Sequence, residues 1–570
     1  MPHRFHPPAQ VLTLLAVSVL ATAGPRFLAH SADRGQAPNT RTSAVSSDWP
    51  QWGGSPSRNN APNARKLPVE WTVGEFDFRT GKWLGGDVKN VRWVAKLGSE
   101  SYGSPAVAGG KVFCATNNAG YVARYPASVD LGCLLCFRQP DGEFLWQHSA
   151  EKLKDHEIDW PKQGICCTPL VEADRAWLVT NRGEVVCLDT EGFRDGENDG
   201  PFASEPSSDK NESDVVWRYD MMAELGTIQH NMASCSVTAA GGLLLVHTSN
   251  GIDSSHRSVP APKAPSFIAL DKRAGRLVWA DRSPGENILH GQWASPAHAV
   301  LGGVPQAIFP GGDGWVYSFL AEPGSDGKPR LLWRFDCNPK ESVWGDGGEG
   351  DRNTIIATPV IYDGLVYIAT GEDPEAGEGP GILWCIDPTR RGDVSRELVV
   401  DRQGRVVPPR RGLAVDKDAG ESVRPNANSA AVWKYTGHDA NKDGELAFEE
   451  TMHRTLSMAA IRDGLLVIGD FAGLVHCLDP KTGRPHWTHD MLAAVWGSPM
   501  LADGKTYLGN EDGDMVVFEL SPKLNVLAKN NMGNAIYGSA VAVGDTLYIS
   551  TRSHLFAIAE TATQPMTNDQ

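Results

Sequence analysis

A short pattern recurs eight times along the chain, and this repeat limits the fold more than any other feature of the sequence. Each copy begins with a small residue, often followed by proline, that opens a strand; a tight turn and an apolar strand come next. The eight openings are Gly103-Ser104-Pro105, Cys167-Thr168-Pro169, Ser234-Cys235-Ser236, Ala294-Ser295-Pro296, Ala357-Thr358-Pro359, Leu456-Ser457-Met458, Gly497-Ser498-Pro499 and Gly538-Ser539-Ala540. The last three lie about 40 residues apart, which is the length of one four-stranded blade of a β-propeller.

The repeat therefore predicts an all-β protein, an eight-bladed β-propeller with four-stranded blades over residues 91–560. The 60 glycines and 38 prolines fit the many tight turns that such a fold needs. Wider spacing in the middle of the chain places insertions at 190–212 and 388–430. The segment Val91-Arg92-Trp93-Val94 reads as an outer strand with no inner strands before it, and the last unit lacks such a strand. We expect the N-terminal strand to complete the last blade, which closes the ring and removes free edges.

Tryptophans recur at one place in the repeat, ten residues after a small residue. The three clearest pairs are Cys136 with Trp146, Ala269 with Trp279, and Cys477 with Trp487. A large ring at one position per blade can pack against the neighbouring blade, so we interpret these tryptophans as stacking residues and not as a ligand cage. Cys187 and Cys385 occupy the same small-residue position, and we interpret all four cysteines of this type as small buried hydrophobes.

The run from Ala269 through Asp271 and Gly275 to Trp279 resembles the docking motif of the PQQ-repeat propellers, which are quinoprotein dehydrogenase-like. The resemblance covers roughly residues 90 to 560. It implies the propeller fold, but the activity stays open because such propellers include both enzymes and non-catalytic scaffolds.

The loop Asp439 to Glu450 matches the EF-hand pattern D-x-[DN]-x-[DN]-G-x5-E at every defined position. Its candidate calcium ligands are Asp439, Asn441, Asp443, the backbone carbonyl of Glu445, and Glu450. A blade strand and not a helix precedes it, so we predict a structural calcium loop grafted between blades; the alternative is an acidic surface loop without an ion. A weaker second candidate contains Asp195, Glu197 and Asp199 but lacks the glutamate at position twelve, and its alternative is a solvated turn.

Residues just before each inner strand of a propeller gather at one mouth of the central channel. Here they include Tyr102, His230, Asn231, His290, Gln292, Trp293, Asn353, His453, Arg454, Trp496 and Tyr537. This set predicts either a ligand-binding funnel or a satisfied polar network around a water-filled channel.

The adjacent cysteines Cys166 and Cys167 lie at the same mouth. Some PQQ-dependent alcohol dehydrogenases carry such a pair as a disulfide over the quinone, so the resemblance makes PQQ a candidate cofactor. The sequence offers no convincing match to those enzymes' calcium-ligating Glu and Asn with a catalytic Asp.

The N-terminus reads as a signal peptide over residues 1–23, with His3 and Arg4 before an apolar run from Val11 to Ala23. That run is shorter than the about 20 apolar residues that span a bilayer. We expect disorder over 24–47 and 561–570, and an extension over 48–90 that packs on the propeller. The protein is thus predicted to be exported, to the periplasm or the exterior, as a monomer without a transmembrane segment in the mature chain.

The net charge and the motifs limit which classes of function the sequence supports. A net charge of -16 without a basic run argues against nucleic-acid binding. The first hypothesis is a non-catalytic scaffold that binds a protein partner or a small ligand at the channel mouth. It resembles the propeller of the outer-membrane barrel-assembly lipoprotein, although no cysteine precedes Cys114 to carry a lipid. The second is a PQQ-dependent dehydrogenase that oxidises an alcohol or a sugar. A hydrolase using the funnel histidines is weaker, because no G-x-S-x-G motif is present.

Overall fold

Eight antiparallel sheets of four strands each follow one another in this computed structural model, which describes residues 48–345 and 350–560. The predicted eight-bladed propeller is confirmed. The predicted signal peptide, the lead-in at 24–47 and the tail at 561–570 lie outside the described residues.

The first four blades are formed by consecutive strands, listed from the inner to the outer strand. Blade 1 comprises Ala106–Ala108, Lys111–Thr116, Leu131–Arg138 and Phe144–Glu151. Blade 2 comprises Leu170–Glu172, Arg175–Val179, Glu184–Asp189 and Val215–Asp220. Blade 3 comprises Thr238–Ala240, Leu243–His247, Phe267–Asp271 and Leu277–Asp281. Blade 4 comprises Ala297–Leu301, Val304–Pro310, Trp315–Leu320 and Leu331–Asp336, with the short strand Gly392–Asp393 added in parallel at its outer edge.

The last four blades include the closure that joins the two ends of the chain. Blade 5 comprises Val360–Tyr362, Leu365–Ala369, Leu383–Ile386 and Ala431–Tyr435. Blade 6 comprises Ala460–Arg462, Leu465–Gly469, Leu474–Leu478 and Pro485–Asp490. Blade 7 comprises Met500–Ala502, Lys505–Gly509, Asp514–Glu519 and Val526–Asn531. Blade 8 comprises Val541–Val543, Thr546–Ser550, His554–Ile558 and, as its outer strand, the N-terminal Val91–Lys96.

The remaining elements lie outside the blades. Two hairpins pair Thr72–Phe76 with Trp83–Lys89, and Glu397–Val400 with Ser422–Pro425. The helices are one short α-helix and several 3-10 turns: Met221–Leu225, Gly192–Arg194, Gly285–Asn287, Pro374–Ala376 and Phe448–Glu450. None of the described helices has the length and apolar character needed to cross a membrane.

Each stacking tryptophan lies directly opposite a small residue on the adjacent strand, which leaves room for its ring. The cross-strand pairs are Cys136 with Trp146, Cys187 with Trp217, Ala269 with Trp279, Ser318 with Trp333, Cys385 with Trp433, Cys477 with Trp487, and Ala557 with Trp93. All ten cysteines are free thiols, and the four in this register are buried. The small size of the cysteine at these positions therefore accounts for its use, as predicted.

At three of the described junctions, a glycine of the next blade receives the flat face of the tryptophan ring. A Cβ placed on Gly142, Gly275 or Gly483 would lie 2.5–2.6 Å from the ring of Trp93, Trp217 or Trp433, respectively. These glycines also have a positive φ, which a residue with a Cβ adopts only with strain. Only glycine meets both requirements, which explains its place in the docking motif.

A belt of hydroxyl groups joins the inner ends of the blades. The hydroxyl belt consists of one Ser or Thr from each of the eight openings, which is the central residue in all but the third opening: Ser104, Thr168, Ser236, Ser295, Thr358, Ser457, Ser498 and Ser539. In six of the eight described junctions, a backbone N–H at the opening of one blade donates to the hydroxyl of the next, over 2.7–3.1 Å. One of these bonds, from Ser539 N to Ser104 Oγ, joins blade 8 to blade 1 and closes the ring.

The segment before the first strands seals one end of the channel. Residues 49–60, which we call the N-terminal plug, form hydrogen bonds with all eight blades in order. The bonds join Trp49 to Val107, Pro50 to Val171, Gln51 to Thr238, Pro56 to His298, Ser57 to Ile361, Asn59 to Ile461, and Asn60 to both Leu501 and Ala540. The plug thus gives partners to inner-strand groups that would otherwise face the channel.

Arg58 holds the plug on the channel axis. Its side chain is fully buried and donates to the carbonyl oxygens of Pro296 at 2.8 Å, Trp52 at 2.9 Å and Ser236 at 2.6 Å. Burial lowers the pKa of Arg58 to about 9, so the guanidinium remains charged at neutral pH. Three charge-assisted bonds to carbonyl oxygens offset the loss of hydration.

We expect Gly275→Ala to destabilise the protein far more than Gly241→Ala. Both glycines lie in turns of blade 3 with a positive φ, but the added methyl meets Trp217 only at Gly275, while nothing lies within 4 Å at Gly241. Strain alone costs about 1–2 kcal/mol, and the clash adds about 1–3 kcal/mol. Denaturant unfolding of the two variants measures the difference. Equal losses would show that the tryptophan contact does not require glycine.

We expect Arg58→Ala to lower the free energy of unfolding by on the order of 3 kcal/mol, because it leaves three buried carbonyl oxygens without a donor. Arg65→Ala is the matched control, since Arg65 is exposed on the same segment. Chemical denaturation followed by tryptophan fluorescence measures both. A loss below 1 kcal/mol for Arg58→Ala would contradict the role of this residue in seating the plug.

Candidate functional site

A cavity of about 360 Å³ occupies the channel on the far side of the plug. Trp52 of the plug lies at its floor, and the hydroxyl belt contributes Ser104, Thr168, Ser236, Ser295 and Thr358 to its wall. Side chains before the inner strands and from longer loops form the rim: Tyr102, Trp160, Gln163, Cys166, Asn231, Met232, Trp293, Asp373, Glu375, Leu456, Trp496 and Tyr537. The site is therefore a blind funnel whose floor is built by the N-terminal segment.

One side of the rim is an aromatic cluster from blades 1, 7 and 8. The rings of Tyr102 and Tyr537 stack with centroids 5.1 Å apart and planes 7° apart, and Trp496 lies 4.7 Å from Tyr537. Glu511 accepts from the Trp496 indole at 3.4 Å and from the Tyr537 hydroxyl at 3.3 Å. Burial, followed by the charge of Glu511, raises the pKa of Tyr537 to about 12, so its hydroxyl stays protonated. The cluster offers flat, half-buried surfaces with polar edges.

The opposite side of the rim carries Trp293 and two of the predicted histidines. Trp293 lines the cavity, and its indole N–H donates to the carbonyl of His230 at 3.1 Å. The rings of His230 and His290 lie behind it, with centroids 6.1 and 5.3 Å from that of Trp293. A third histidine, His256, packs against both. The predicted funnel residues His230, Asn231, His290 and Trp293 are thus brought together.

Buried acids accompany these histidines. Glu372 Oε1 lies 3.4 Å from His290 Nδ1, and Asp373 Oδ2 lies 3.9 Å from it. Burial raises the pKa of Glu372 to about 7, against the effect of the backbone N–H groups of Asp373 and Thr354 that donate to it. The carboxyl of Glu372 therefore sits near its titration point at neutral pH.

Four other predicted funnel residues do not line the cavity: Gln292, Asn353, His453 and Arg454. Arg454 donates to Asn353 Oδ1 at 2.7 Å and to the carbonyls of Ala376 and Gly350, while burial lowers its pKa. Asn353 in turn donates to the carbonyl of Pro380 at 2.8 Å. Both side chains thereby hold loops of the rim in place.

His453 belongs to a buried group centred on Asp470. Its Nδ1 lies 3.3 Å from Asp470 Oδ2, and His476 Nε2 lies 3.1 Å from the same oxygen. Burial raises the pKa of Asp470, but the hydrogen bonds from the two histidines outweigh it and bring the value to about 2. This group is a satisfied polar network within blade 6.

The thiols of Cys166 and Cys167 contact different backbone carbonyl groups. The Cys166 thiol lines the cavity, 3.6 Å from the carbonyl of Gln163, whereas the Cys167 thiol donates to the carbonyl of Val179 at 3.2 Å inside blade 2. Burial raises the pKa of Cys166 to about 12, so its thiolate form is suppressed. The two sulfur atoms are free thiols in different surroundings.

The loop from Asp439 to Glu450 is held by hydrogen bonds to its own acidic side chains. Asp439 accepts from the backbone N–H groups of Asp443 and Gly444 at 3.2 and 2.9 Å, and Glu450 accepts from those of Ala440, Asn441 and Ala447. Asn441 donates to Asp443 at 2.9 Å. The four predicted side-chain ligands thus belong to one hydrogen-bonded turn, and Gly444 takes the positive φ within it.

The second acidic loop is arranged differently. Asp195 accepts from the backbone of Glu197 at 3.0 Å. Asp199 instead pairs with Arg175 over 2.7 Å, and its backbone N–H donates to Asp214. A calcium ion here would have to displace the guanidinium, so the residues fit this ion less well than those of the first loop.

The rim residues Trp160, Gln163 and Asp373, and His256 behind the rim, were not predicted from the sequence. They lie in long loops between strands or blades, where the repeat pattern assigns no position. Every opening contains a Ser or Thr that belongs to the hydroxyl belt. The sequence pattern used only the small size of these residues, so the hydrogen bonds of their hydroxyl groups were not predicted. For all the predicted site residues, whether at the cavity or away from it, a role in ligand binding remains a prediction.

Comparison with known proteins gives a family match. A family model described as outer membrane protein assembly factor BamB matches residues 426–559. The outer membrane protein assembly factor BamB of Yersinia pestis is 25% identical over 313 residues, covering 53% of this chain and 65% of that protein. The protein of the same name from Xanthomonas campestris pv. campestris is 28% identical over 229 residues, covering 38% and 47%. The predicted resemblance to PQQ-repeat propellers is confirmed. The match spans less than two thirds of the length of either relative.

A solved structure shares the fold. The quinohemoprotein alcohol dehydrogenase ADHIIG from Pseudomonas putida HK5 superposes with a TM-score of 0.54 at 10% identity, covering 92% of this chain and 82% of that chain. At this identity the similarity concerns the fold alone.

Proposed function

We propose that the protein is an exported, non-catalytic scaffold whose open channel mouth binds a segment of a partner protein. The observation that carries this proposal is the aromatic rim, formed by Tyr102, Trp496 and Tyr537 together with Trp160 and Trp293 around a blind cavity. Half-buried Trp and Tyr side chains are the residues that dominate the binding energy of protein interfaces. The two curated relatives are named as assembly factors, which supports an interaction role.

Because the cavity has a closed floor, a partner segment can bind in it but cannot pass through the channel. Trp52 donates to Thr358 Oγ1 at 3.1 Å, and Arg58 fills the axis behind it, so a bound segment would enter and leave by the same mouth. The free thiols of Cys166 and Cys167 give no support to a quinone held under a disulfide. The PQQ-dependent dehydrogenase remains the alternative prediction.

We propose in addition that the loop from Asp439 to Glu450 holds a structural calcium ion. Asp439, Asn441, Asp443 and Glu450 would supply side-chain oxygens, and Glu445 its carbonyl. The adjacent Phe448 packs on His453 with ring centroids 4.2 Å apart, and a backbone bridge joins Gly437 to Thr451 at the base of the loop. An ion would therefore order the connection from blade 5 to blade 6, close to the mouth.

We expect a photoreactive amino acid placed at Trp496 to crosslink to a defined partner protein in the native host, because this position lies on the rim. The same group at Val300 should give no such product, since Val300 is 66% exposed but lies at the hairpin end of blade 4, away from the mouth. Crosslinked products are identified by mass spectrometry. Substituting Tyr102→Ala and Tyr537→Ala should reduce the yield at least about tenfold, because aromatic anchors contribute about 2 kcal/mol or more.

Two results would contradict the scaffold. One is an equal crosslinking yield at Trp496 and Val300, which would show that the partner does not bind specifically at the rim. The other is reduction of an artificial electron acceptor by the protein after incubation with PQQ and calcium, in the presence of an alcohol or a sugar. That activity would establish the dehydrogenase.

We expect the protein to bind one calcium ion in the loop from Asp439 to Glu450, with Glu450→Gln and Asp439→Asn each weakening binding at least about tenfold through loss of a ligand oxygen and its charge. Glu449→Gln is the matched control, because it removes the same charge from the neighbouring position, which the pattern does not use. Isothermal titration measures the affinities. Unchanged affinity in Glu450→Gln, or the absence of binding by the wild type, refutes the site.

A further inference from the structure

Three histidines from neighbouring loops meet beside the cavity, behind Trp293. His230 lies in the connection from blade 2 to blade 3, His290 lies one blade further on, and His256 lies in the loop between the second and third strands of blade 3. Their ring centroids are 4.7 to 5.0 Å apart, and one ring nitrogen of each lies within 4.8 Å of the others. Three imidazoles gathered in this way form a set of nitrogen donors that aromatic packing alone does not require.

His230 is held in the tautomer that binds metal ions. Its Nδ1 lies 3.1 Å from the carbonyl oxygen of Ile252, which can only accept a hydrogen bond, so Nδ1 carries the proton. Nε2 therefore has a free lone pair, and this atom is buried without a hydrogen-bond partner. A backbone carbonyl on one ring nitrogen with the other left free is the usual arrangement around a metal-ligating histidine.

His290 has a matching environment. Only 5% of this residue is exposed, and its Nδ1 is buried without a hydrogen bond, although Glu372 Oε1 lies 3.4 Å away. A buried polar atom without a partner costs about 1–3 kcal/mol, so two in one cluster require an explanation.

The surroundings keep His230 and His290 in the neutral form. Burial, followed by the neighbouring histidine His256, lowers the pKa of His230 to about 4. Burial and both other histidines lower the pKa of His290 to about 3. Neutral imidazoles are the species that coordinate metals. Arg411 brings a positive charge nearby, but its guanidinium is directed at the backbone carbonyls of Arg257, His256 and Leu289, while Glu372 and Asp373 supply negative charge on the other side.

We propose that His230, His256 and His290 together bind a divalent transition-metal ion of the zinc class. Three nitrogen donors suit zinc better than calcium or magnesium, which prefer oxygen. In a tetrahedral site with Zn–N bonds of about 2.0–2.1 Å, ligand nitrogens lie about 3.4 Å apart. The present separations of up to 4.8 Å become this short through small side-chain rotations, chiefly of His256, which is the least buried of the three.

Such an ion would tie three chain segments together at the mouth. It would join the loop of His256 to the two connections that carry Asn231 and Trp293, which both line the cavity. The proposal concerns metal binding and does not depend on the partner proposed above.

The test is zinc binding by the purified protein in the presence of excess calcium, which competes for sites made of oxygen ligands. We expect one zinc ion per chain by titration calorimetry and by elemental analysis after dialysis, and a visible spectrum of a low-coordinate nitrogen site with cobalt(II). His256→Ala should weaken zinc binding at least about 100-fold, since it removes one of three donors. His486→Ala is the matched control, because His486 is exposed on the outer strand of blade 6.

His256 is partly exposed, so its replacement is compatible with folding, and thermal unfolding without metal verifies that the variants remain folded. The wild type should gain thermal stability with zinc, and His256→Ala should not. Absence of zinc binding by the wild type overturns the proposal. Binding of equal affinity in His256→Ala and wild type also overturns it, because the ion would then lie elsewhere.

Discussion

The flat contact between the tryptophan of one blade and a glycine of the next is the interaction on which the ring depends. Because glycine presents bare backbone, the ring of Trp217 can lie on Gly275 at a separation that any side chain would prevent. A small residue across the strand, such as Cys187, leaves room on the other side. At the inner radius, the hydroxyl belt joins the same blades by bonds of 2.7–3.1 Å. Two contacts at different radii set the wedge angle between blades, and repetition of that angle closes the ring.

Most of the fold could be predicted from the sequence because the signals of a blade are local. In three blades the small residue, the turn glycine and the tryptophan lie within ten residues of one another, and each of the eight units also has its own strand opening. Closure by Val91–Lys96 followed from counting, since one blade lacked a strand that the N-terminus carried in excess. An extension over 48–90 that packs on the propeller was expected, but the path of the plug past the eight blades could not be predicted in this way. Its partners lie up to 480 residues away, as for Asn60 and Ala540, and its own sequence has no repeat.

The candidate site was predicted in part, for the same physical reason. Asn231, Trp293 and Trp496 precede inner strands, and the geometry of the repeat places such residues at the mouth. His453 and Arg454 hold equivalent positions, yet Asp470 and Asn353 offer them closer partners, and their side chains turn away. Trp160 and His256 come from long loops whose course depends on tertiary contacts. The blades thus provide a regular frame, and the chemistry specific to this chain lies in the irregular segments.

The course of the plug also has a consequence for the order of folding. Residues 49–60 precede every strand of the blades in the sequence, so they are synthesised before any blade. Their binding surface is assembled from all eight inner strands, so it is complete only after Val541–Val543 has joined the ring. This segment consequently precedes the blades in synthesis but reaches its native place after them. Until then, the channel is open at both ends and the aromatic rim has no floor beneath it.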